Sequence, residues 1–331
     1  MGVTIECNRA WANTNLGCLG ITGAIRAKRG YILEGWALLF LCPSALKHTR
    51  TVNGVLCRDL NNSKGGFHFM VRGYVKKVFP GNNTSQGFYS FYDYIVPPDA
   101  SRVIIIKGGP GVGKSTFMGK IAEEMLKRGF DVEMHCCTAD VGSLDGILIP
   151  KLGVVIMDGM APHMVDPKYP GALEEIVYLG EYWDSSQIKP HKKKIMELTR
   201  GSSRMYKRGY RFLKAAQLVY QDWEEANMEA MDFAYANQQT HRVIEEVLGD
   251  IPISSRQGRG RHLFARAITP AGMLNHVDTI IGPCNRKYAI EGEPGTGKST
   301  LIKKVANAAL ERGFAVEMYH CPLNPEKVEH I

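Results

Sequence analysis

Two glycine-rich segments hold the residues of this chain that are best suited to chemistry. They read GGPGVGKST at residues 108–116 and GEPGTGKST at residues 292–300, and each follows an apolar run. Glycines let the backbone curve so that successive N–H groups point at phosphate oxygens, and the dipole of a helix that starts there strengthens this anion site. The pattern therefore predicts two sites for a nucleoside triphosphate.

The positions of the pattern divide into backbone donors and side chains. We expect Lys114 and Lys298 to reach the β- and γ-phosphates, and Ser115 and Ser299 to place a hydroxyl on Mg²⁺. The predicted phosphate-binding residues are Gly108, Gly111, Gly113, Lys114, Ser115, Thr116, Gly292, Gly295, Gly297, Lys298, Ser299 and Thr300. ATP and Mg²⁺ are the predicted cofactors, although a loop that contacts phosphates leaves the choice between ATP and GTP open.

An acidic residue that could complete the first site closes a third apolar run. Asp158 follows residues 154–157 and is predicted to hold Mg²⁺, which makes Lys114 and Asp158 the expected catalytic residues. The alternative is an aspartate that only caps a turn with Gly159. Many ATP-driven enzymes have a glutamate after this aspartate to polarise water, whereas this chain has Gly159. The hydrolytic base must then lie elsewhere, and the candidates, each of which could instead be a turn residue, are Asp140, Asp145, His163 and Asp166.

An internal repeat contains both glycine-rich segments. Residues 108–137 align without gaps to residues 292–321, with 17 identities in 30 positions. The first copy has the pattern of a strand at 103–107, a helix at 114–128, a strand at 132–136 and a strand at 154–157. This order predicts an α/β fold of the P-loop NTPase type, duplicated, in which helices cover both faces of a parallel sheet.

The remaining segments complete the predicted domain organisation. Residues 70–171 form the first P-loop domain, 172–253 a helical insert, and 254–331 a second P-loop domain that stops before the counterpart of Asp158, so that its site is expected to bind without turning over. Residues 254–261 (SSRQGRGR) are interpreted as a polar linker, with a candidate arginine finger as the alternative.

Residues 63–70 can be encoded by a ribosome-binding site followed by a start codon at Met70. Residues 1–69 are therefore interpreted as a non-native leader, with a genuine disordered extension as the alternative.

Composition and charge limit the partners. The chain has 331 residues with 41 Lys and Arg against 33 Asp and Glu, a net charge of +8. Residues 1–69 carry +5 of this charge, and the basic positions at 192–194 and 204–214 are balanced by Asp222, Glu224, Glu225 and Glu229. We therefore do not expect a nucleic-acid partner.

The longest apolar run, 37–42, is too short to span a membrane. The eight cysteines lack the spacing of a paired motif or of a zinc site, which indicates a cytoplasmic protein.

From about Met70 onwards the chain resembles a bacterial family of duplicated P-loop ATPases. The resemblance depends on both glycine-rich loops together with the strings FPGNNTSQGFYSFYDYI, DGMAPHMVDPKYPGA, QLVYQDWEEAN and RHLFARAITPAG. It implies two nucleotide-binding domains that flank a helical insert, and members of the family continue past the point where this chain stops. The family has no assigned substrate, so the resemblance implies nucleotide binding and not a biological role.

Three functions are compatible with these residues. The first is Mg²⁺-dependent ATP hydrolysis coupled to a macromolecular partner, with the insert as a moving lid. The second is a kinase that transfers the γ-phosphate to a small acceptor, since a kinase does not need a glutamate after Asp158. The third is a nucleotide-gated switch with little turnover. The sequence leaves room for an oligomer.

Overall fold

The computed structural model describes residues 72–160 and 164–331, together with three short strands among the first 71 residues. The interpretation of residues 1–69 as a leader lies outside the described residues, apart from those strands. Within the described part of the chain, no helix is both long and apolar enough to cross a membrane.

The structure describes seventeen strands and six α-helices, and several strands often follow one another without an α-helix between them. The strands are β1 (Ile5–Cys7), β2 (Leu19–Ile21), β3 (Leu41–Cys42), β4 (Val75–Val78), β5 (Gly81–Thr84), β6 (Gly87–Ser90), β7 (Arg102–Lys107), β8 (Val132–Cys136), β9 (Leu144–Ile149), β10 (Val154–Asp158), β11 (Glu174–Tyr178), β12 (Gly260–Leu263), β13 (Arg266–Thr269), β14 (Gly272–Asn275), β15 (Arg286–Ile290), β16 (Ala315–His320) and β17 (Val328–His330). The α-helices are α1 (Lys114–Lys127), α2 (Ser185–Ile188), α3 (Lys192–Met228), α4 (Phe233–Leu248), α5 (Val277–Ile281) and α6 (Lys298–Glu311).

The first sheet has the order β11-β7-β10-β9-β8-β4. The expectation of a parallel sheet is wrong in one respect, because β9 runs antiparallel to both β8 and β10. The reason lies in the short connection between β8 and β9, which can close a hairpin but cannot hold the crossover that a parallel pair needs. The sheet is therefore mixed: β11, β7 and β10 pair in parallel at one end, and β4 pairs in parallel with β8 at the other.

The two faces of the first sheet are covered differently. Helix α1 packs Met118, Ala122 and Leu126 onto one face. The other face packs against Tyr92 and Ile95, which belong to a 3-10 turn (Tyr92–Tyr94) and the loop after it. The prediction of helices on both faces is thus wrong for this sheet. Both layers still hold β7 and β10 rigidly, and these are the strands that lead into the candidate site.

The second sheet has the order β1-β15-β2-β3-β16-β12, with β17 paired to β16. Its β16 and β17 pair antiparallel, with Tyr319 opposite His330. In the first sheet β8 and β9 pair antiparallel with His135 opposite Gly146, and these numbers differ from the former by 184 in both cases. The hairpins β5–β6 and β13–β14 likewise pair in the same register after a shift of 185.

The two halves of the chain meet through a buried contact. The backbones of Phe79 and Phe264 exchange two hydrogen bonds of 2.9 Å, and both rings are fully buried. Beside them, Arg261 donates to Glu133 and Glu317, and Lys76 contacts the same two carboxylates. Burial alone would raise the pKa of Glu133, but the charges of Arg261 and Lys76 outweigh it and hold this pKa well below its usual range. Arg261, expected in a solvated linker, is therefore part of the core between the halves.

The helical segment crosses from one half to the other. Residues 174–178, expected to be helical, form β11 in the first sheet, so the helices start at Ser185. Helix α3 has 37 residues, which corresponds to about 55 Å. Its Tyr210 hydroxyl donates to Asn83 of the first half at 3.0 Å, and its Asn227 contacts the second half. The helix therefore contacts β5 of the first half and the second glycine-rich loop.

Candidate functional site

The first glycine-rich loop connects β7 to α1 at the carboxyl edge of the first sheet. Gly108, Gly111 and Gly113 have φ angles of 146°, 85° and 88°, a region that side chains rarely adopt. A Cβ added at Gly111 or Gly113 would meet nothing within 4 Å, so the loop is open on that side. Ser115 and Thr116 lie in the first turn of α1, where backbone N–H groups lack helical partners. The loop thus has the geometry of an anion site at a helix N-terminus.

Three of the predicted side chains converge at this loop. The Lys114 ammonium donates to the carbonyl oxygens of Gly108 (2.7 Å) and Gly109 (3.1 Å) and lies 3.4 Å from Asp158 Oδ2. Asp158 comes close because β10 is parallel to β7, with Asp158 in register with Ile106, so both strands end at the same edge. The Ser115 hydroxyl accepts a hydrogen bond from the Leu144 N–H at 2.9 Å.

The oxygen donors at this loop match the requirements of Mg²⁺. Mg²⁺ prefers oxygen ligands and is held by one or two protein groups together with substrate phosphates. Ser115 supplies a hydroxyl and Asp158 a carboxylate, whose Oδ1 also accepts the Met160 N–H. Among the described residues, no group of three or more His, Cys, Asp and Glu side chains could hold a metal ion by itself. The donor set therefore fits Mg²⁺ that arrives with a nucleotide.

A buried carboxyl group lies beside the first site. Asp145 on β9 accepts a 2.5 Å hydrogen bond from the Tyr92 hydroxyl. Burial raises the pKa of Asp145 to about 6, the Tyr92 and Cys137 hydrogen bonds oppose this rise, and the charges of Asp158 and Asp140 add to it. Of the four candidates for a hydrolytic base, Asp145 is thus electrostatically coupled to Asp158.

The other three candidates are placed differently. Asp140 accepts a hydrogen bond from the Ser143 hydroxyl, as expected of a turn residue. Asp166 forms an ion pair with Lys107 at 2.9 Å and is largely exposed. His163 lies outside the described residues.

Replacing Asp145 with asparagine is expected to increase stability at neutral pH. With a pKa of about 6 in the folded chain and an ordinary value of 3.8, this carboxyl disfavours the folded state as pH rises from 4 to 6, by up to about 3 kcal/mol. Asp145→Asn should therefore match the wild type near pH 4 and exceed it above pH 6.5. Urea unfolding at both pH values measures this, with the exposed Asp93→Asn as the control. A difference that does not change with pH would contradict the prediction.

The second glycine-rich loop repeats the arrangement of the first between β15 and α6. Gly295 and Gly297 have φ angles of 79° and 84°, and Ser299 and Thr300 lie in the first turn of α6. The Lys298 ammonium donates to the carbonyl oxygens of Gly292 (2.6 Å) and Glu293 (2.7 Å). Burial lowers the pKa of Lys298 to about 8, against the charges of Glu293, Glu224 and Glu329.

The end of α3 covers this second loop, which sequence reasoning missed. The Asn227 side chain donates to the Pro294 carbonyl at 2.9 Å, and Glu224 pairs with Lys327. A Cβ added at Gly295 would lie 2.3 Å from the Glu224 carbonyl oxygen. The aromatic ring of Trp183 packs in a similar way on Gly109 at the start of the first loop. No local pattern signals these long-range contacts.

Alanine at the two corresponding glycines should have unequal effects. Gly111 and Gly295 both have positive φ, so alanine costs about 1–2 kcal/mol at either position. At Gly295 the new methyl group also collides with the backbone of α3, and we expect a further loss of about 1–3 kcal/mol. Urea unfolding of Gly111→Ala and Gly295→Ala compares the two directly. Equal losses would show that α3 does not rest on the second loop.

Comparison of the chain with protein-family models, with curated proteins and with solved structures finds no match.

Proposed function

We propose that this chain is a P-loop NTPase that binds ATP and hydrolyses it with Mg²⁺ at the first glycine-rich loop. The observation that carries the proposal is the approach of Lys114 to Asp158 at 3.4 Å, beside a loop whose glycines have positive φ. A cation, a carboxylate and unpaired backbone N–H groups at one helix N-terminus are what phosphoryl transfer needs for positioning and charge stabilisation.

The residues of the first site would have distinct roles. The backbone N–H groups of residues 111–116 would bind the phosphates, and Lys114 would offset the charge that develops on them. Ser115 and Asp158 would hold Mg²⁺, which neutralises phosphate charge when it is bound. Asp145 is our candidate for the group that accepts a proton from water, because its pKa of about 6 suits a base near neutral pH.

We further propose that the fold is a duplicated P-loop NTPase fold with a helical insert. The support is the identical register of the strand pairs in the two halves and the strand, loop and helix order at both loops. The second loop would bind nucleotide with little turnover, and α3 would connect its state to the first half. The described cysteines are free, which fits the cytoplasm.

The fate of γ-labelled ATP tests the proposed reaction. The purified chain is incubated with labelled ATP and Mg²⁺, with and without a filtered extract of small metabolites. We expect labelled free phosphate in both samples. Label on a metabolite would make the protein a kinase, and bound ATP without any turnover would make it a nucleotide-gated switch; either result would overturn the proposal of an ATPase.

A further inference from the structure

One face of α3 carries a row of basic side chains. The row consists of Lys193, Arg200, Arg204, Lys207, Arg211 and Lys214. Successive members are seven, four, three, four and three residues apart, and residues at these spacings share one face of a helix. All six are exposed. At 1.5 Å per residue the row is about 32 Å long, close to one turn of a nucleic-acid duplex.

The positive charge of the chain is concentrated around this row. Residues 192–214 contain nine basic residues and one acidic residue, a net charge of +8. The rest of residues 70–331 contains 24 basic and 29 acidic residues, a net charge of −5. The row is therefore a positively charged surface on a protein whose other residues from 70 onwards carry a net negative charge. Such a distribution is typical of proteins that bind a polyanion.

Apart from Glu197, which pairs with Lys194, the acidic residues of α3 lie too far along the helix to neutralise the row. Asp222 is eight residues from Lys214 and 29 residues from Lys193, which corresponds to about 12 Å and about 44 Å. Charges at the surface are screened beyond about 8–10 Å at physiological salt. Glu224 is already paired with Lys327. The balance of charge that the sequence suggested is thus absent at the row itself.

The row does not stabilise the protein through ion pairs. Lys194 pairs with Glu197 at 3.5 Å, and the other eight basic side chains of residues 192–214 form no ion pair with any residue that the structure describes. The order of charges along α3, basic first and acidic last, also opposes the helix dipole. These charges therefore do not stabilise the helix, and they are available to bind a negatively charged partner.

We propose that this row binds the phosphate backbone of a nucleic acid. Arginine and lysine at steps of about 5 Å can contact successive phosphates along one strand, and such contacts need no base sequence. Asn227 on Pro294 holds the side of α3 opposite the row to the body, and Tyr210 on Asn83 fixes the helix at a position beside the row, while all six basic side chains stay exposed. Because α3 also covers the second loop, nucleic acid and nucleotide would act on the same helix.

Two other occupants fit the row less well. If a second copy packed antiparallel with Lys193 facing Asp222, Arg204 would face Arg211 and Lys207 would face Arg208, so like charges would meet. A membrane would have to bind the exposed apolar row of α3, which consists of Leu198, Met205, Phe212 and Val219. This row has basic side chains along one flank only, because Ser202 and Gly209 lie along the other, whereas helices that lie on a membrane surface have a strongly charged polar face.

Fluorescence anisotropy with the full chain tests the proposal without any nucleotide, so that its result is independent of ATP binding. The probes are a labelled DNA duplex of about two turns, the same sequence as single-stranded DNA, and the same sequence as RNA. The test variant replaces Arg204, Lys207, Arg211 and Lys214 with glutamine. The matched control removes the same number of charges from other exposed positions, Lys120, Lys127, Lys151 and Arg286. Circular dichroism verifies that both variants are folded.

We expect the wild type to bind at least one of these probes with a Kd at or below about 10 µM at 50 mM salt. The four glutamines should weaken binding at least 100-fold and reduce the slope of log K against log salt by about 3, since each phosphate contact contributes about 0.7–0.9. The control variant should keep most of the affinity. Equal affinities for the two variants or no binding to any probe would overturn the proposal. The wild type is also sedimented with phosphatidylserine vesicles, and binding to these vesicles without binding to any nucleic-acid probe would overturn it as well.

Discussion

Replacing Lys114 with alanine should lower the rate of phosphate release from ATP by a factor of about 100 to 1000, the usual effect of removing one charged donor from a site that stabilises developing charge. Lys114 lies between the loop carbonyls of Gly108 and Gly109 and the Asp158 carboxylate, so it is placed to follow the terminal phosphates. Steady-state phosphate release measures the effect.

The control for this variant is Lys120→Ala. Lys120 lies on the same helix, is exposed and is further from the loop. It should keep wild-type turnover, and both variants should unfold at similar urea concentrations. A Lys114→Ala protein that releases phosphate at the wild-type rate would show that hydrolysis takes place elsewhere.

Replacing Asp158 with asparagine should remove the dependence of turnover on Mg²⁺. Asparagine keeps the size of the side chain but loses the charge that holds the metal ion, and we expect turnover at saturating Mg²⁺ to fall about 100-fold. ATP binding in EDTA should persist, because Lys114 and the backbone donors of the loop are unchanged. Mg²⁺ titrations of phosphate release, together with ATP binding in EDTA, separate these two effects.

Asp99→Asn serves as the control for this second variant. Asp99 is exposed in the loop before β7, whereas the glycine-rich loop follows the other end of this strand. Its Mg²⁺ titration should superimpose on that of the wild type. If Asp158→Asn kept the wild-type Mg²⁺ response, Asp158 would be a strand-end residue that only accepts the Met160 N–H.

The local elements around the first site could be predicted from the sequence because their signals are local. The apolar run before Gly108 and the helical period after Lys114 correspond to β7 and α1 within one residue at each end. Asp158 was expected to complete the first site because it closes the apolar run 154–157, and its carboxylate lies 3.4 Å from the Lys114 ammonium.

Contacts between distant residues could not be predicted in the same way. Residues 254–261 have the composition of a solvated linker, yet Arg261 is buried because Glu133 and Glu317 meet it from two different strands. In the same way, nothing near Gly295 indicates that Glu224, 71 positions earlier, rests on it. The antiparallel direction of β9 was not predicted, because the short turn before this strand decides its direction and its composition does not.

The distribution of charge along α3 leads to a different expectation from the summed charge of the insert. Counted over the insert, the acidic residues at 222–229 offset the basic ones, and this sum did not favour a nucleic-acid partner. In α3 the two groups lie at opposite ends of a helix of about 55 Å, beyond the reach of screened charges. The net charge of the segment therefore did not indicate that its basic and acidic residues are separated along α3.

Calorimetric titration of ATP with Mg²⁺ into the wild type and into Lys114→Ala tests the central claim most directly, because it measures binding at the first loop without requiring turnover. We expect the wild type to bind ATP at both glycine-rich loops, with dissociation constants between about 1 µM and 1 mM, the usual range for enzyme substrates. Lys114→Ala should lose one of the two binding events, whereas Lys120→Ala should keep both. A wild type that binds neither ATP nor GTP, or a Lys114→Ala protein that binds as the wild type does, would contradict the assignment of residues 108–116 as a nucleotide site.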